Sequence, residues 1–545
     1  MPDDPASIST SHWVRALDAD SLREGNPVAV KLAGKHIALF RQGERIHACN
    51  NRCPHEGYPL VEGTLDAGCR LTCHWHNWKF DLATGTNEYG GDDLRIYPVR
   101  IEEGAVHIDL ADPPAEALIA RSLAHLDEAM ADVDAARIAR EAARLARAGA
   151  GVERVVAHAI VTTHERFRYG MTHAYAGAEA WLRLRDRSSD DVVRLACVSE
   201  ALAHIGFDVR GEPHAGYAET GAAWMPDAFL RAVEAQDEAV AIALINGALE
   251  AALSFGDLEP ALTSAALAHY NDFGHTLIYL MHVRRLIGRL GEATAAPLLR
   301  CWVRSLVYAT REDLLPDFAG YASARESWPA PARTPPTTLP SAADFEGTST
   351  RDAIAATLSH AAAEPLRLFD ALVEASARNL LCFDERHALR TDNPVSDNVG
   401  WLDFSHALTF AHALREQCAR LPYHAADLWP RGLLQMALFV GRNKSYLRTD
   451  TTSERELMTW AVDDAAAFDA RATAMIVDHG VGLPIFPVHW LKTWLAVADE
   501  RALGLSDGAE RAALAAVNRL LAVRFKQRHA LRNAHQSLTF VAREG

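Results

Sequence analysis

Cysteine is scarce in this chain: 545 residues hold eight, too few and too dispersed for a disulfide framework, so a fold must rest on buried apolar side chains. Cationic residues are outnumbered, 55 Lys and Arg against 71 Asp and Glu for a net charge of -16. That balance argues against a phosphate-backbone partner, and no nucleic acid is expected. Long apolar runs are missing, and the start MPDDPASIST has neither a basic segment nor an apolar h-region, so the reading is a soluble, cytoplasmic protein with no membrane partner. A dinucleotide fingerprint is missing too. Gly149-Ala150-Gly151 lacks a third glycine and follows a helical pattern rather than a strand, which marks a helix terminus.

Half of the few cysteines fall in one short region: Cys49, Cys53, Cys69 and Cys73. Within it, Cys53-Pro54-His55 and Cys73-His74-Trp75-His76 each offer one Cys followed by one His. Two thiolates suit one iron of a [2Fe-2S] cluster, and two neutral imidazoles suit the iron that takes the electron, raising the potential above that of an all-Cys cluster. Tetrahedral zinc is the rival reading of two Cys and two His, but zinc fingers usually take both Cys from one turn and both His from another. Here each loop supplies one of each.

The stretches CPHEGYPL and CHWHNWKFDLATG closely resemble the Rieske family over about the first fifth of the chain. The resemblance implies cluster ligands at Cys53, His55, Cys73 and His76, with His74 turned elsewhere, and Phe80 to Gly85 as the strand and turn of oxygenase-type Rieske ferredoxins. High-potential respiratory Rieske proteins carry one further Cys in each loop as a disulfide; this chain has none there. Cys49 and Cys69 lie outside both loops and read as small buried thiols.

The length fits about two to four domains. From Trp13 to about Leu110 the pattern is short strands and turns, giving a small all-β Rieske domain over 1–111. After Asp112-Pro113-Pro114 the sequence turns rich in Ala, Leu, Glu and Arg, which predicts a linker and one long helix over 112–150. Apolar residues at three- and four-residue spacing continue beyond Gly151. The fold class expected is therefore a small β domain followed by a large, predominantly α-helical domain over 151–545. A Pro-rich stretch, about 316–350, predicts an extended loop dividing that region into halves.

A domain that moves single electrons and is fused to some four hundred further residues raises the question of what receives them. Most Rieske oxygenases bind mononuclear iron through a D-x-x-H-x(4)-H run and a later Asp in a mixed helix-and-sheet domain. This chain has no such run and a helical composition. Two segments instead echo one another: Asp272-Phe273-Gly274-His275 and Asp403-Phe404-Ser405-His406, each with a trailing histidine, His282 and His412. Residues three apart on a helix are neighbours, so each Asp/His pair could bind one ion, as Glu-x-x-His does in di-iron bundles. The bare acidic-x-x-His spacing is not enriched over chance, which gives about three matches for this composition, and it recurs at Glu44/His47 and Asp384/His387. His282 lies seven residues beyond His275, roughly 10 Å along a helix, so it and His412 are assigned to substrate or proton handling.

Other histidines carry no motif of their own: His158, His164 and His173; His204 and His214; His479 and His489. Glu200, on the same probable helix as His204, offers a carboxylate but is not assigned as a ligand. The pieces EALAHIGFDV, YLMH and LLRCWVRSL resemble the questin-oxidase-like family. That resemblance implies a helical protein inserting oxygen into aromatic polyketide-type substrates, including Baeyer-Villiger ring cleavage.

The resulting expectation is an oxygen-dependent oxidoreductase: a Rieske cluster delivers electrons to non-haem iron, mono- or dinuclear, held by Asp272, His275, Asp403 and His406, acting on a small organic substrate. Electrons would come from a separate NAD(P)H-dependent reductase or ferredoxin docking near His55 and His76. The alternative is an electron-transfer protein whose helical part is a docking or sensing module.

Overall fold

The computed structural model describes residues 12–329, 338–394, 398–527 and 529–543. They form two compact units, one holding the described residues through Ala129 and again Ala136–Ala150, the other Met130–Ala135 and the described residues from Gly151 onward.

The first unit begins with ten short strands: β1 (Trp13–Asp18), β2 (Val28–Leu32), β3 (Lys35–Gln42), β4 (Arg45–Asn50), β5 (Thr64–Leu65), β6 (Arg70–Thr72), β7 (Lys79–Asp81), β8 (Ile96–Tyr97), β9 (Val99–Glu102) and β10 (Ala105–Asp109). They pair as three antiparallel sheets, in the orders β1-β10-β9, β2-β3-β4-β8 and β5-β6-β7. Strand β3 explains how one short sheet serves two cores. Its side chains alternate faces, so Ala38 and Phe40 join the cluster of Cys53, Cys73, Leu71 and Phe80, while Ile37 and Leu39 join Tyr97, Val106 and Ile108. The β5-β6-β7 sheet carries one Cys/His loop between β6 and β7; the other loop follows β4.

The segment expected as a linker and one long helix is two helices, α1 (Ala115–Asp132) and α2 (Ala135–Arg147). The break falls at Val133, whose φ of 55° no helix of L-residues continues through. Both helices are tied to the connection between β7 and β8. Asp92, fully buried, accepts from Arg140 Nε at 2.9 Å and Nη2 at 2.6 Å, and pairs with Arg144. His125 lies 3.3 Å from Asp93 and 3.6 Å from Glu141, and these two carboxylates raise its pKa to about 9. A folded-state pKa above the ordinary value of 6.5 stabilises fully below about pH 6.5 and is lost as pH rises through 9; the ceiling is about 3 kcal/mol. Amide exchange in α1, corrected for intrinsic rates, should therefore quicken between pH 6 and pH 9. His125→Gln should remove most of that dependence.

The second unit is helical throughout its core. Four helices form a closed ring in which each packs on the next: α3 (His173–Asp186), α4 (His275–Leu290), α5 (Trp401–Arg420) and α6 (Ile485–Ala502). Helix α5 is buried almost all round, from Phe404 through Leu414, as expected of a central bundle element. Further helices, among them Asp191–Val209 against α3 and Asp507–Leu521 against α6, cover the outside.

The Pro-rich stretch is more ordered than expected. It holds a helix, Gly320–Glu326, and a 3-10 turn, Ala342–Asp344, with Tyr321 and Phe345 buried; residues 330–337 lie outside the described residues. Nor does it divide the region into halves, since α3 and α4 precede it, α5 and α6 follow it, and all four share one bundle. Among the described residues no helix is long and apolar enough to cross a membrane.

Candidate metal centres

The two Cys/His loops are built alike. The Cys53 amide donates to the Tyr58 carbonyl at 2.9 Å and the Cys73 amide to the Trp78 carbonyl at 2.8 Å, so each loop closes over five residues. Gly57 at φ 80° and Asn77 at φ 60° supply the left-handed residue each closure needs. The closures bury Cys53 and Cys73 side by side and stand His55 and His76 together, ring centroids 4.7 Å apart.

Burial raises the Cys53 thiol to about 11, a group that gives up its proton to a metal rather than to water. His55 stacks on Trp78 with centroids 4.4 Å apart. Glu56 lies 3.8 Å from His76 Nδ1 and accepts from the Trp75 indole at 3.2 Å. Two adjacent buried thiols beneath two adjacent, partly exposed imidazoles are the donor set a [2Fe-2S] cluster of this type takes. His74 turns away to Thr64 Oγ1, 2.6 Å distant.

All eight cysteines are free thiols. Cys49 is fully buried, as read from sequence, whereas Cys69 is half-buried with its sulfur 3.5 Å from His47 Nε2.

The second centre lies inside the helical bundle, where α3, α4, α5 and α6 each contribute one histidine: His173, His275, His406 and His489. Their Nε2 atoms converge. His275 Nε2 is 3.0 Å from that of His173 and 2.7 Å from that of His406, which is 3.2 Å from that of His489.

The tautomers follow from the other ring nitrogens. His406 Nδ1 is 2.5 Å from the Leu402 carbonyl and His489 Nδ1 is 2.6 Å from the Ile485 carbonyl. A carbonyl can only accept, so both Nδ1 atoms carry the proton and both Nε2 atoms are lone pairs. Two lone pairs facing one another at 3.2 Å repel unless a cation lies between them. The same outer contacts orient the rings, as they do around bound metals. Burial holds His173, His406 and His489 well below the usual histidine range, so they are neutral donors at physiological pH.

Two of the four sequence-predicted ligands are therefore in the group and two are not. Asp272 is not one helical turn before His275; Asp272, Phe273 and Gly274 run at φ 43°, 52° and 75°, a left-handed turn outside the helix. Its carboxylate lies 3.4 Å from His275 Nδ1, on the side of the ring away from the group. Asp403 closes the N-terminus of α5, accepting from the Gly400 amide at 2.8 Å, and lies 3.7 Å from Arg442. In their place stand His173 and His489. Glu200 pairs with His479 at 3.2 Å, and His204 lies 3.5 Å from Asp208. Lys492, one turn beyond His489, is buried with no hydrogen bond to its Nζ, and burial lowers its pKa to about 7; no motif in the sequence marked it.

The left-handed turn also sets a test of how His275 is delivered. A Cβ on Gly274 would stand 2.6 Å from Phe410 Cδ2, at φ 75°. Gly274→Ala should lower stability by about 1–3 kcal/mol and displace the start of α4. The expected result is a lower melting temperature together with weaker retention of metal by the four-histidine group.

His282 and His412 lie further along the same helices in a buried ionic layer. His282 Nδ1 is 2.7 Å from Glu179; His412 Nδ1 is 2.8 Å from Glu500 and its Nε2 is 3.2 Å from Asp499 and 3.0 Å from Arg285. Burial disfavours the charged His412 ring, but Asp499 and Glu500 together raise its pKa. A cavity of about 890 Å³ reaches this layer at His412, Glu416, Arg285 and Asp499.

Residues 12–93 match the Rieske [2Fe-2S] domain. The ferredoxin component of naphthalene 1,2-dioxygenase/salicylate 5-hydroxylase systems from Ralstonia sp is 34% identical over 103 residues, 18% of this chain and 98% of that protein. The 4beta-methylsterol monooxygenase of Methylococcus capsulatus is 30% identical over 118 residues, 19% of this chain and 32% of its own. Among solved structures, the ferredoxin of carbazole 1,9a-dioxygenase from Nocardioides aromaticivorans IC177 aligns at 28% identity, covering 18% of this chain and 97% of its own, with a TM-score of 0.17. The chain thus spans nearly all of the two ferredoxins and about a third of the monooxygenase.

Proposed function

The chain belongs to the Rieske [2Fe-2S] domain family through residues 12–93, and from that premise we propose that it is an oxygen-dependent oxidoreductase whose helical unit holds one redox-active metal, iron by preference, on His173, His275, His406 and His489. The convergence of four Nε2 atoms, two of them fixed as lone pairs by the Leu402 and Ile485 carbonyls, carries this reading. When bound, the cluster supplies one-electron transfer and the metal supplies oxygen activation.

The protein's own groups divide the remaining work. Cys53 and Cys73 hold the buried side of the cluster, and His55 and His76 stand at its exposed side, where a separate NAD(P)H-dependent reductase or ferredoxin would dock. Asp272, Tyr279 and the two carbonyls aim the imidazoles. His412, its pKa raised by Asp499 and Glu500, holds a proton in a buried layer open to the 890 Å³ cavity, with the Glu179 carboxylate on His282 alongside, a place from which a proton can be supplied to oxygen chemistry. Burial keeps bulk water from the four imidazoles. The substrate is a small organic molecule.

The test is oxygen uptake by full-length protein given a reductase and ferredoxin of the dioxygenase type. Uptake should depend on both the cluster and the four-histidine metal. Protein with a full cluster that binds no further redox-active metal would overturn the reading.

A further inference from the structure

The first turns of α5 and α6 open onto a cavity of about 940 Å³, within the size range of organic-ligand sites. Its wall stands close to the metal centre. Leu402, which lines it, is the residue whose carbonyl holds His406 Nδ1. Phe486, also in the wall, precedes His489 by three residues, about 5 Å along the helix. The ionic layer with its 890 Å³ cavity lies at the other end of the same two helices, so proton entry and this cavity are on opposite sides of the histidines.

The chemistry of the lining is aromatic and cationic. Phe486 and Phe525 stack with centroids 4.3 Å apart, and Trp401 and Trp460 add two more faces. Arg519 lies 4.8 Å over the Trp401 ring and gives its N–H groups to the Leu380 and Phe383 carbonyls. Lys526 donates to the Leu389 carbonyl and Arg532 to those of Ala388 and Arg390. Neutral carbonyls fix these cations without cancelling their charge. Arg455 and Arg524 add two exposed guanidinium groups to the same lining. Of the carboxylates present, Glu456 is paired with Arg448, and Asp403 is committed to the α5 cap and to Arg442. Glu385 and Asp450 remain against five cations.

We propose that this cavity is the substrate site and that its ligand is an aromatic carboxylate, its rings against Trp401, Phe486 and Phe525 and its anionic group toward Arg524, Lys526 and Arg455. Flat rings gain from aromatic faces and a carboxylate from guanidinium forks. As the substrate of a metal centre the ligand rests on the oxygenase reading; as a ligand of the cavity it does not.

The experiment is calorimetric titration of the full-length holoprotein with benzoate, 2-naphthoate and biphenyl-4-carboxylate, each against its neutral carboxamide. At least one carboxylate should bind about tenfold or more tighter than its carboxamide, as one charge-assisted contact allows. Arg524→Glu and Arg455→Glu should each weaken that carboxylate by about tenfold while leaving the carboxamide unchanged, which also reports that the variants are folded. Equal binding of acid and amide, binding of neither, or affinity indifferent to both substitutions overturns the proposal. Carboxylate binding to protein that proves to hold no metal beyond the cluster would sink the oxygenase reading and leave the site standing. Metal at the four histidines without any carboxylate preference would do the reverse.

Discussion

His406→Ala should lower turnover by about a hundredfold or more and remove the metal proposed for the helical unit, while leaving the Rieske chromophore intact. The size of the effect follows from where His406 stands. Its Nε2 is the one that lies within 2.7 Å of His275 and 3.2 Å of His489, so its loss opens the middle of the donor set rather than one edge. Its Nδ1 contact is to the carbonyl of its own helix, so the substitution leaves no foreign buried partner unpaired beyond that carbonyl. His406 is itself buried, and an alanine leaves a void of imidazole size that water fills poorly as a fourth ligand. The measurement is metal content and visible spectrum on one sample, alongside oxygen uptake. Retained metal and retained turnover would show that the four histidines are only packed core residues.

Cys73→Ser should produce the complementary loss: the cluster disappears and turnover with a donor protein stops, but the metal proposed for the helical unit stays. Cys73 is buried beside Cys53 in the first unit, and the four histidines all belong to the second. Serine keeps the shape but not the soft thiolate, and a two-thiolate iron does not survive its replacement by an alkoxide. Turnover with donor protein should fall below about a thousandth of wild type. One turnover by protein reduced chemically beforehand should persist, because the substitution cuts delivery rather than the site of use. Full activity in Cys73→Ser with the donor protein would instead mean that the cluster regulates and does not relay.

How much of this was legible in the chain depended on how far apart in sequence the cooperating residues lie. The proposed cluster ligands Cys53, His55, Cys73 and His76 come from two loops of a few residues each, so local spacing alone could suggest them, and the structure brings the four together while His74 turns to Thr64. The four-histidine group takes one residue from each of four helices, separated by 102, 131 and 83 positions, and no local spacing encodes that. His275 and His406 were visible only through the shared Asp-Phe-small-His core. The same echo misplaced the carboxylates, because one Asp belongs to a left-handed turn and the other to a helix cap. Sequence cannot separate those two uses from ligation. His173, first residue of α3 after its Thr172 cap, and His489 had no motif at all. At the level of fold, the β domain and the helical body were both legible from periodicity. The turn at Val133, where one expected helix becomes two, was not, since a β-branched residue at φ 55° runs against propensity.

The central claim is that this chain carries a cluster and one further metal in separate units. Iron and acid-labile sulfide measured together on reconstituted full-length protein test it most directly. The account predicts about three irons to two sulfides per chain, falling to about two and two in His406→Ala and to about one iron without sulfide in Cys73→Ser. A ratio of two irons to two sulfides in the wild type, with no other redox-active metal bound, would contradict it.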